Sequence, residues 1–152
     1  MRARPLIFAL ALAATGLAEA AAQTPRWASR VTVEQTGSDN AAVAAQRGRF
    51  SRLAIVQNGR NNAAAINQNG AANNAEIYQF GRDHSAAITQ TGSNNNGCAV
   101  QIGRGQDIGI AQTGGQSDAV LQTPAGTRDI PMAACENGRV GRALLRAVGR
   151  RW

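Results

Sequence analysis

The stretch QNGRNNAAAINQNGAANNAEIYQ runs from Gln57 to Gln79 and places three glutamines 11 residues apart. The same spacing extends over eight glutamines, and a glycine stands two residues after each of them. The glutamines are Gln35, Gln46, Gln57, Gln68, Gln79, Gln90, Gln101 and Gln112, and the glycines are Gly37, Gly48, Gly59, Gly70, Gly81, Gly92, Gly103 and Gly114. Eight units in phase identify a repeat array, in which each unit packs mainly on its neighbours.

Three further positions of the unit also keep their chemistry. The fifth residue after each glutamine is polar, the seventh is small or aliphatic, and the ninth is alanine or a larger aliphatic. The polar set is Asn40, Ser51, Asn62, Asn73, His84, Asn95, Gln106 and Ser117; the seventh and ninth positions of the last unit are Ala119 and Leu121. These positions alternate along the chain, and an alternation with period two is typical of a β-strand.

An 11-residue period also fits a right-handed coiled coil, because 11 residues make three helical turns. A helix would have to contain the eight repeat glycines, at ~1 kcal/mol each relative to alanine. In a strand-and-turn unit the same glycines would turn the chain, since glycine adopts positive φ freely. We therefore predict strands near residues 31–35, 40–46, 51–57, 62–68, 73–79, 84–90, 95–101, 106–112 and 117–122.

The predicted fold is all-β: a β-solenoid of strand-turn-strand coils, with two facing parallel sheets and 22 residues per coil. A meander would also fit short equal strands, but it would not need identical residues in every unit. An amide carries both a donor and an acceptor, so equivalent amides stacked at ~4.8 Å can bond above and below. The predicted amide ladder contains the eight repeat glutamines and Asn40, Asn62, Asn73 and Asn95.

The N-terminus has the features of a secretory signal peptide. A basic start with Arg2 and Arg4 precedes an apolar run from Leu6 to Ala18, which is too short to span a bilayer. Small residues follow, and we predict cleavage after Ala22, with Ala20 as the alternative. The predicted organisation is a signal peptide at 1–22, a short segment at 23–30, the solenoid at 31–123 and an Arg-rich tail at 124–152.

The chain is basic throughout. It contains no lysine, and residues 23–152 carry 14 arginines against 8 acids, a net charge of +6, which favours anionic partners. In the tail, Val140, Leu144, Leu145, Val148 and Trp152 fall on one side of a helical wheel. We predict an amphipathic helix that binds an anionic membrane or polysaccharide, a helix that caps the last coil, or a frayed tail. The candidate surface-binding residues are Arg139, Arg142, Arg146, Arg150 and Arg151.

The two cysteines, Cys98 on an outward strand position and Cys135 in the tail, leave two possibilities open. An exported protein permits a disulfide, which would fix the tail to the solenoid wall; otherwise both thiols are free. A zinc site normally takes four ligands, so two distant thiols do not predict one. His84 occupies a ladder position and has no serine or cysteine at a catalytic spacing. We expect no enzyme activity and no cofactor.

The unit Gln-x-Gly-x-x-Asn-x-Ala-x-x-x-Gln resembles the curlin repeat of bacterial curli, the amyloid fibres of biofilms. The units beginning at Gln35, Gln57 and Gln68 match every fixed position, and the other units match in part. The resemblance covers roughly residues 31–122. It implies export through a dedicated outer-membrane pore with accessory factors, self-assembly or co-assembly with another curlin, and roles in adhesion and biofilm matrix.

The function expected from the sequence is that of a structural subunit or nucleator of extracellular, cell-surface fibres. The Ala-x-Ile-x-Gln strands and the Arg-rich tail are more similar to the minor, nucleating curlin. Assembly would proceed by addition of edge strands, since a solenoid end exposes unpaired backbone groups. Two alternatives are a monomeric solenoid that binds a surface or glycan, and a cationic protein that acts on membranes through its tail.

Overall fold

Each 11-residue unit forms one strand in the computed structural model, which describes residues 7–14, 18–21 and 29–135. In residues 63–69 the side chains alternate strictly, so that Ala64, Ile66 and Gln68 are buried. The repeat strands are β3 (Arg30–Ser38), β4 (Asn40–Arg47), β5 (Arg52–Arg60), β6 (Ala63–Asn69), β7 (Asn74–Arg82), β8 (Ser85–Thr91), β9 (Asn96–Arg104), β10 (Asp107–Thr113) and β11 (Ser117–Thr123). The predicted strand in every unit is confirmed.

Consecutive strands alternate between two sheets, so that two units make one coil. Sheet A contains β4, β6, β8 and β10, and sheet B contains β3, β5, β7, β9 and β11. Neighbours within each sheet are parallel, and equivalent residues pair directly, as Ile66 does with Ile88 and Gln57 with Gln79. The prediction of a β-solenoid with two facing parallel sheets is confirmed.

Antiparallel strands flank the parallel array at its ends. In sheet A, β1 (Ile7–Ala14) pairs with β4; in sheet B, β2 (Ala18–Ala21) pairs with β3. At the other end β12 (Gly126–Asp129) pairs with β11, and α1 (Met132–Cys135) follows. The predicted amphipathic helix of the tail, with its five arginines, lies outside the described residues.

The space between the sheets is filled by few large side chains. The inner core contains Leu53 and one isoleucine in most strands, and alanine fills the remaining positions. Its isoleucines are Ile55, Ile66, Ile77, Ile88 and Ile110. Each buried isoleucine contributes about 1.5–3 kcal/mol. Because this core is thin, the hydrogen-bonded side chains that share the interior must account for much of the specificity of stacking.

A second apolar cluster lies on the outer face of sheet B, where the sequence analysis predicted none. Tyr78, Phe80 and Val100 are buried there. Ile130 and Met132, which follow β12, pack against them. This outer cluster means that the described part of the tail folds back over the solenoid wall instead of extending from its end.

The turns require glycine for a reason beyond the positive φ that the sequence suggested. A Cβ built on Gly59 would lie 1.7 Å from the carbonyl oxygen of Gly81 in the next coil, and the corresponding distance from Gly48 to Gly70 is 1.8 Å. Such contacts are far inside van der Waals range, so the backbones of successive turns touch. The glycine column therefore sets how closely the coils can stack.

The last coil departs from the predicted register by one residue. Gln122 pairs with Gln101 and Ser117 with Asn96, a separation of 21 residues. The turn before β11 is one residue shorter, so the positions predicted for the last unit were wrong. Val120 packs against the inner core, whereas Ala119 and Leu121 belong to the outer cluster. Gln116, not Ser117, then takes the polar ladder position, where its N–H donates to Asn95 Oδ1 at 3.2 Å.

Candidate functional site

The buried glutamines form two columns of hydrogen bonds through the interior. In sheet B each Nε2 donates to the Oε1 of the glutamine one coil later, with distances of 2.7–2.9 Å. In sheet A the same bonds join Gln68 to Gln90 at 2.9 Å and Gln90 to Gln112 at 2.7 Å. The sheet B column is Gln35, Gln57, Gln79, Gln101 and Gln122.

The backbone fixes the direction of both columns. Gln79 donates its second amide hydrogen to the carbonyl of Ala63 at 2.8 Å, and Gln90 does the same to Asn74 at 2.8 Å. Gln57, Gln68, Gln101, Gln112 and Gln122 make the equivalent bond. Since Nε2 is held by a carbonyl on the facing strand, each of these seven donors points toward the C-terminal coils. The ladder is therefore polar along the solenoid axis.

The asparagines lie where the chain turns between the sheets. Asn62 Nδ2 donates to Asn40 Oδ1 at 3.0 Å and to the Gly81 carbonyl at 3.2 Å. In the other column Asn95 Nδ2 donates to Asn73 Oδ1 at 3.1 Å. Each of these Oδ1 atoms also accepts the backbone N–H of the next ladder residue. The four predicted ladder asparagines thus lie in two columns and tie side chains to turn backbone.

Sequence reasoning missed two members of these columns. Ser29 Oγ accepts the N–H of Ser51 at 3.4 Å, which extends one column upstream of the predicted solenoid. Gln116 ends the same column. The spacing of 22 residues between Ser29 and Ser51 could have revealed the first; the second was hidden because the repeat loses a residue.

His84 is a buried member of the column that begins at Asn40. Its Nε2 lies 3.3 Å from the carbonyl of Phe80, and its Nδ1 accepts the N–H of Gln106 at 3.4 Å. This pair of contacts fits the neutral ring with hydrogen on Nε2. Burial lowers the pKa of His84 below its ordinary value of 6.5, although the bond to Phe80 raises it in part. Protonation at Nδ1 would place the new N–H of His84 against the backbone N–H of Gln106, and the hydrogen bond between them would be lost.

We expect the solenoid to lose stability on acidification because of His84. The unfolded chain takes up a proton near pH 6.5 and the folded chain only at lower pH. The free energy of unfolding is therefore undiminished above 6.5, falls as the pH drops toward the pKa of the folded chain, and levels off below it. Guanidinium midpoints measured across this range test the slope. His84→Asn, which restores the commonest residue of the column, should remove this part of the slope, and an unchanged slope contradicts the assignment.

The N-terminal end of the solenoid leaves ladder atoms without partners. Gln35 Oε1 and both side-chain polar atoms of Gln46 are buried and accept or donate no hydrogen bond among the described residues. Gln46 is only 1% exposed. A buried polar group without a partner costs about 1–3 kcal/mol. Gln68 Oε1, the acceptor one coil after Gln46, also lacks a partner, so the sheet A column is interrupted between these two glutamines. In sheet B, a preceding coil would supply the donor that Gln35 Oε1 lacks.

The C-terminal end is different in its glutamine columns, whose donors are satisfied within the chain, whereas both side-chain polar atoms of Gln106, in the column that begins at Asn40, are buried without a partner among the described residues. Gln112 Nε2 donates to the carbonyl of Asn96 at 2.8 Å and to Asp118 Oδ2 at 2.8 Å. Gln122 Nε2 donates to the carbonyl of Asp107 at 2.9 Å and to Thr127 Oγ1 of β12 at 3.4 Å. The shorter turn before β11 directs the carboxylate of Asp118 to the ladder.

Cys98 and Cys135 form a disulfide in the structure, with an S–S distance of 2.08 Å. Both cysteines are buried in the outer cluster beside Val100. Glu76 also lies on this face, and it accepts the Tyr78 hydroxyl hydrogen at 2.7 Å between Oη and Oε2. The disulfide thus fastens the segment after β12 to the middle of sheet B.

Arginines form a row along one turn edge. Arg60, Arg82 and Arg104 pair in register on adjacent strands, which brings like charges together. Arg104 Nε donates to Asp83 Oδ2 at 3.1 Å. Hydrogen bonds from Asn61 and Arg104, helped by the charge of Arg82, lower the pKa of Asp83. These groups are solvent-exposed, so the ion pair contributes little to stability.

Within the described residues, no three His, Cys, Asp or Glu side chains are grouped closely enough to hold a metal ion. The part of the chain that the structure describes also contains no helix with the length and apolar character needed to cross a membrane. The functional candidates in the described residues are the ladders and the two ends of the solenoid.

Comparison with known proteins gives one family. The curlin associated repeat matches residues 51–81, 59–92 and 81–114. No curated protein and no solved structure matches the chain. The matched residues cover β5 to β10, the part of the solenoid in which the glutamine and asparagine columns are continuous. The repeat match over residues 51–114 and the 22-residue coil together support a curlin-family assignment.

Proposed function

We propose that the chain is exported, loses residues 1–22 and becomes a subunit of extracellular curli-type fibres. Curlin-family proteins form fibres at the cell surface, and this chain carries their repeat. In the proposed mechanism, the edge of one solenoid presents backbone groups and ladder amides, and an incoming curlin folds onto that edge. Fibres of this kind would support adhesion and biofilm matrix.

One observation carries the proposal: the glutamine ladder ends at an edge where a further coil could continue its hydrogen bonds. Gln35 is buried in the same column as its successors, yet its Oε1 lacks a partner. A further coil in the same register would place an amide at hydrogen-bonding distance from it. The backbone edges of β3 and β4 would be paired by the same addition.

Removal of residues 1–22 is part of the proposal. β1 and β2 lie within that segment and pair with β4 and β3. Their sequences, IFALALAA and AEAA, lack the glutamine and asparagine that the columns require. Cleavage would therefore expose the first coil with its ladder positions unfilled. Export through a curli-type pore with accessory factors would deliver the chain to the surface in this form.

We place the Arg-rich tail at an anionic cell surface, in keeping with a nucleating subunit. The six arginines and two acids of residues 124–152 give that segment a charge of +4. Polybasic segments bind anionic surfaces through attraction that salt weakens. Deletion of 124–152 should release fibres from cells.

Assembly of the chain beginning at Gln23 tests the function directly. The purified protein, both oxidised and reduced, is incubated at rising concentration and followed with an amyloid dye. Fibre diffraction should show the strand spacing of ~4.7–4.8 Å along the fibre axis. When added as seeds, the same fibres should shorten the lag phase before a second curlin forms fibres. A protein that stays dispersed in both redox states would contradict the proposal.

A further inference from the structure

We infer that the oxidised solenoid has one end open for assembly and one end closed, and that the Cys98–Cys135 disulfide keeps the second end closed. The open end is the N-terminal edge, formed by β3 and β4. At the closed end, the sheet B edge at β11 is covered by the C-terminal cap, residues 124–135, which contains β12 and α1; among the described residues β10 is the outermost strand of sheet A. The inference rests on the proposed function and specifies which edge binds a partner.

The N-terminal edge contains a buried acceptor that lacks a hydrogen-bond donor. Gln35 Oε1 faces away from the rest of its column, because Gln35 Nε2 already donates to Gln57. In every later coil that oxygen accepts a hydrogen from the preceding glutamine. The matching partner is therefore the C-terminal end of another curlin solenoid, where the last glutamine has a free N–H.

The C-terminal end of the same chain cannot supply that donor in the oxidised state. Gln122 Nε2 is occupied by the carbonyl of Asp107 and by Thr127 of β12, and Gln112 Nε2 is occupied by Asn96 and Asp118. An amide has two hydrogens, and each of these amides has two acceptors. In the glutamine columns, two oxidised copies therefore lack the complementary groups for joining head to tail.

Pro124 interrupts the column of turn glycines at this end. It stands two residues after Gln122, where each earlier unit has glycine. Its ring lies over Gly103, and a Cβ built on Gly103 would be 2.8 Å from Pro124 Cγ. Proline also has no backbone N–H to offer a following coil. While β12 stays paired with β11, a further turn cannot stack here as Gly81 stacks on Gly59.

β12 follows Pro124 in the chain and covers the C-terminal edge of sheet B. It is four residues long, pairs antiparallel with β11, and carries Arg128 and Asp129 in exposed positions. Short strands and charged residues are features by which natural proteins block further pairing at a sheet edge. The cap therefore has the properties of a terminator.

The disulfide holds this terminator in place. After β12, Ile130 N–H donates to the carbonyl of Ala119 at 2.8 Å, and Ile130 and Met132 pack on the outer cluster. Cys135 then bonds to Cys98 in β9, one strand inward from β11 in the same sheet. Detachment of β12 while the disulfide is intact would leave the segment tethered beside the edge. Cleavage of the disulfide would remove that restraint.

Fibre growth of the chain beginning at Gln23 tests the inference. A dithiol reductant converts the disulfide to two thiols and is itself oxidised to a disulfide. We expect the oxidised protein to grow fibres at least about tenfold more slowly than the reduced protein. The double variant Cys98→Ala, Cys135→Ala should grow at the faster rate without reductant. Equal rates for oxidised and reduced protein would overturn the inference and leave the proposed function standing, whereas an absence of fibres in every state would overturn the proposed function.

The open end is tested with labelled oxidised protein added to fibres of the alanine variant. It should bind at one end of each fibre, through its N-terminal edge, and stop growth at that end only. Binding at both ends, or continued growth beyond the bound label, would contradict the inference.

Gln46→Met distinguishes docking from folding. Because the Gln46 amide makes no hydrogen bond in the isolated chain, the guanidinium midpoint of the oxidised variant should not fall. Its affinity for fibre ends should drop about tenfold or more, since the junction then lacks an amide pair. Gln90→Met is the matched control: Gln90 is fully bonded, so its replacement should lower the midpoint. Unchanged end-binding by Gln46→Met would argue against this edge as the docking site.

Discussion

Gly59→Ala is expected to prevent the coils from stacking and to cost about 4 kcal/mol or more of folding free energy. Gly59 has φ of +135°, a conformation that L side chains rarely adopt. The new methyl carbon would also lie 1.7 Å from the Gly81 carbonyl oxygen, which belongs to rigid backbone and cannot move aside alone. Guanidinium unfolding of the oxidised chain, followed by its β-sheet circular dichroism, measures the loss.

Gly109→Ala is the matched control for this variant. Gly109 lies in β10, is exposed, and a Cβ built on it meets no heavy atom within 4 Å. We expect a change within about 0.5 kcal/mol, as for most surface substitutions. A similar loss in both variants would show that alanine harms the solenoid for some reason other than turn stacking. A normal midpoint for Gly59→Ala would show that successive turns are not in contact.

The fold was predictable because its determinants are local and repeated. The alternation in Ala64, Ile66 and Gln68 specifies a strand, and the glycine two residues after each glutamine specifies the turn. Repetition removes the usual difficulty of topology, since a unit that resembles its neighbours stacks on them in one register. The conclusion that equivalent amides lie above one another needed only the period.

The ends were not predictable in the same way, because there the repeat fails. The residue missing before β11 shifts Val120 to the inside and brings Asp118 to the ladder, which no extrapolation of the period foresees. β12 and the outer cluster depend on contacts between the tail and sheet B that have no repeated counterpart. Tyr78 and Phe80 occupy repeat positions at which no other unit has an aromatic residue, so the sequence did not identify them as a buried surface.

The candidate site was also predictable only in part. Which residues form the columns followed from spacing, but the direction of the columns did not. Direction depends on which carbonyl faces each amide, such as Ala63 for Gln79. It is this direction that makes the two ends chemically different, with acceptors left over at one and donors consumed at the other.

Gln79→Glu is expected to reverse the pH dependence of the solenoid. Gln79 is fully buried, donates to Gln101 Oε1 at 2.9 Å and to the Ala63 carbonyl at 2.8 Å, and accepts from Gln57 at 2.8 Å. An ionised carboxylate in its place only accepts, so two acceptors would face it without a donor. A protonated carboxyl can accept from Gln57 and still donate to one of the two.

Burial raises the pKa of such an introduced carboxyl above the ordinary glutamate value of about 4.3. The protonated form then stabilises the folded chain fully below about pH 4.3, and that stability is lost as the pH rises through the higher pKa of the folded state. At neutral pH we expect a loss of several kcal/mol, because a charge is buried without a partner. Guanidinium midpoints between about pH 4 and 8 measure the effect.

Gln79→Met separates the charge from the lost hydrogen bonds. It removes the same donors without adding an ionisable group, so its midpoint should be lowered by an amount that does not vary with pH in this range. Both variants are best made together with His84→Asn, because His84 favours the opposite direction of pH dependence. If the glutamate variant were as stable at neutral pH as in acid, the column would be accessible to water, and a buried, directional ladder could not be what distinguishes the two ends of this solenoid.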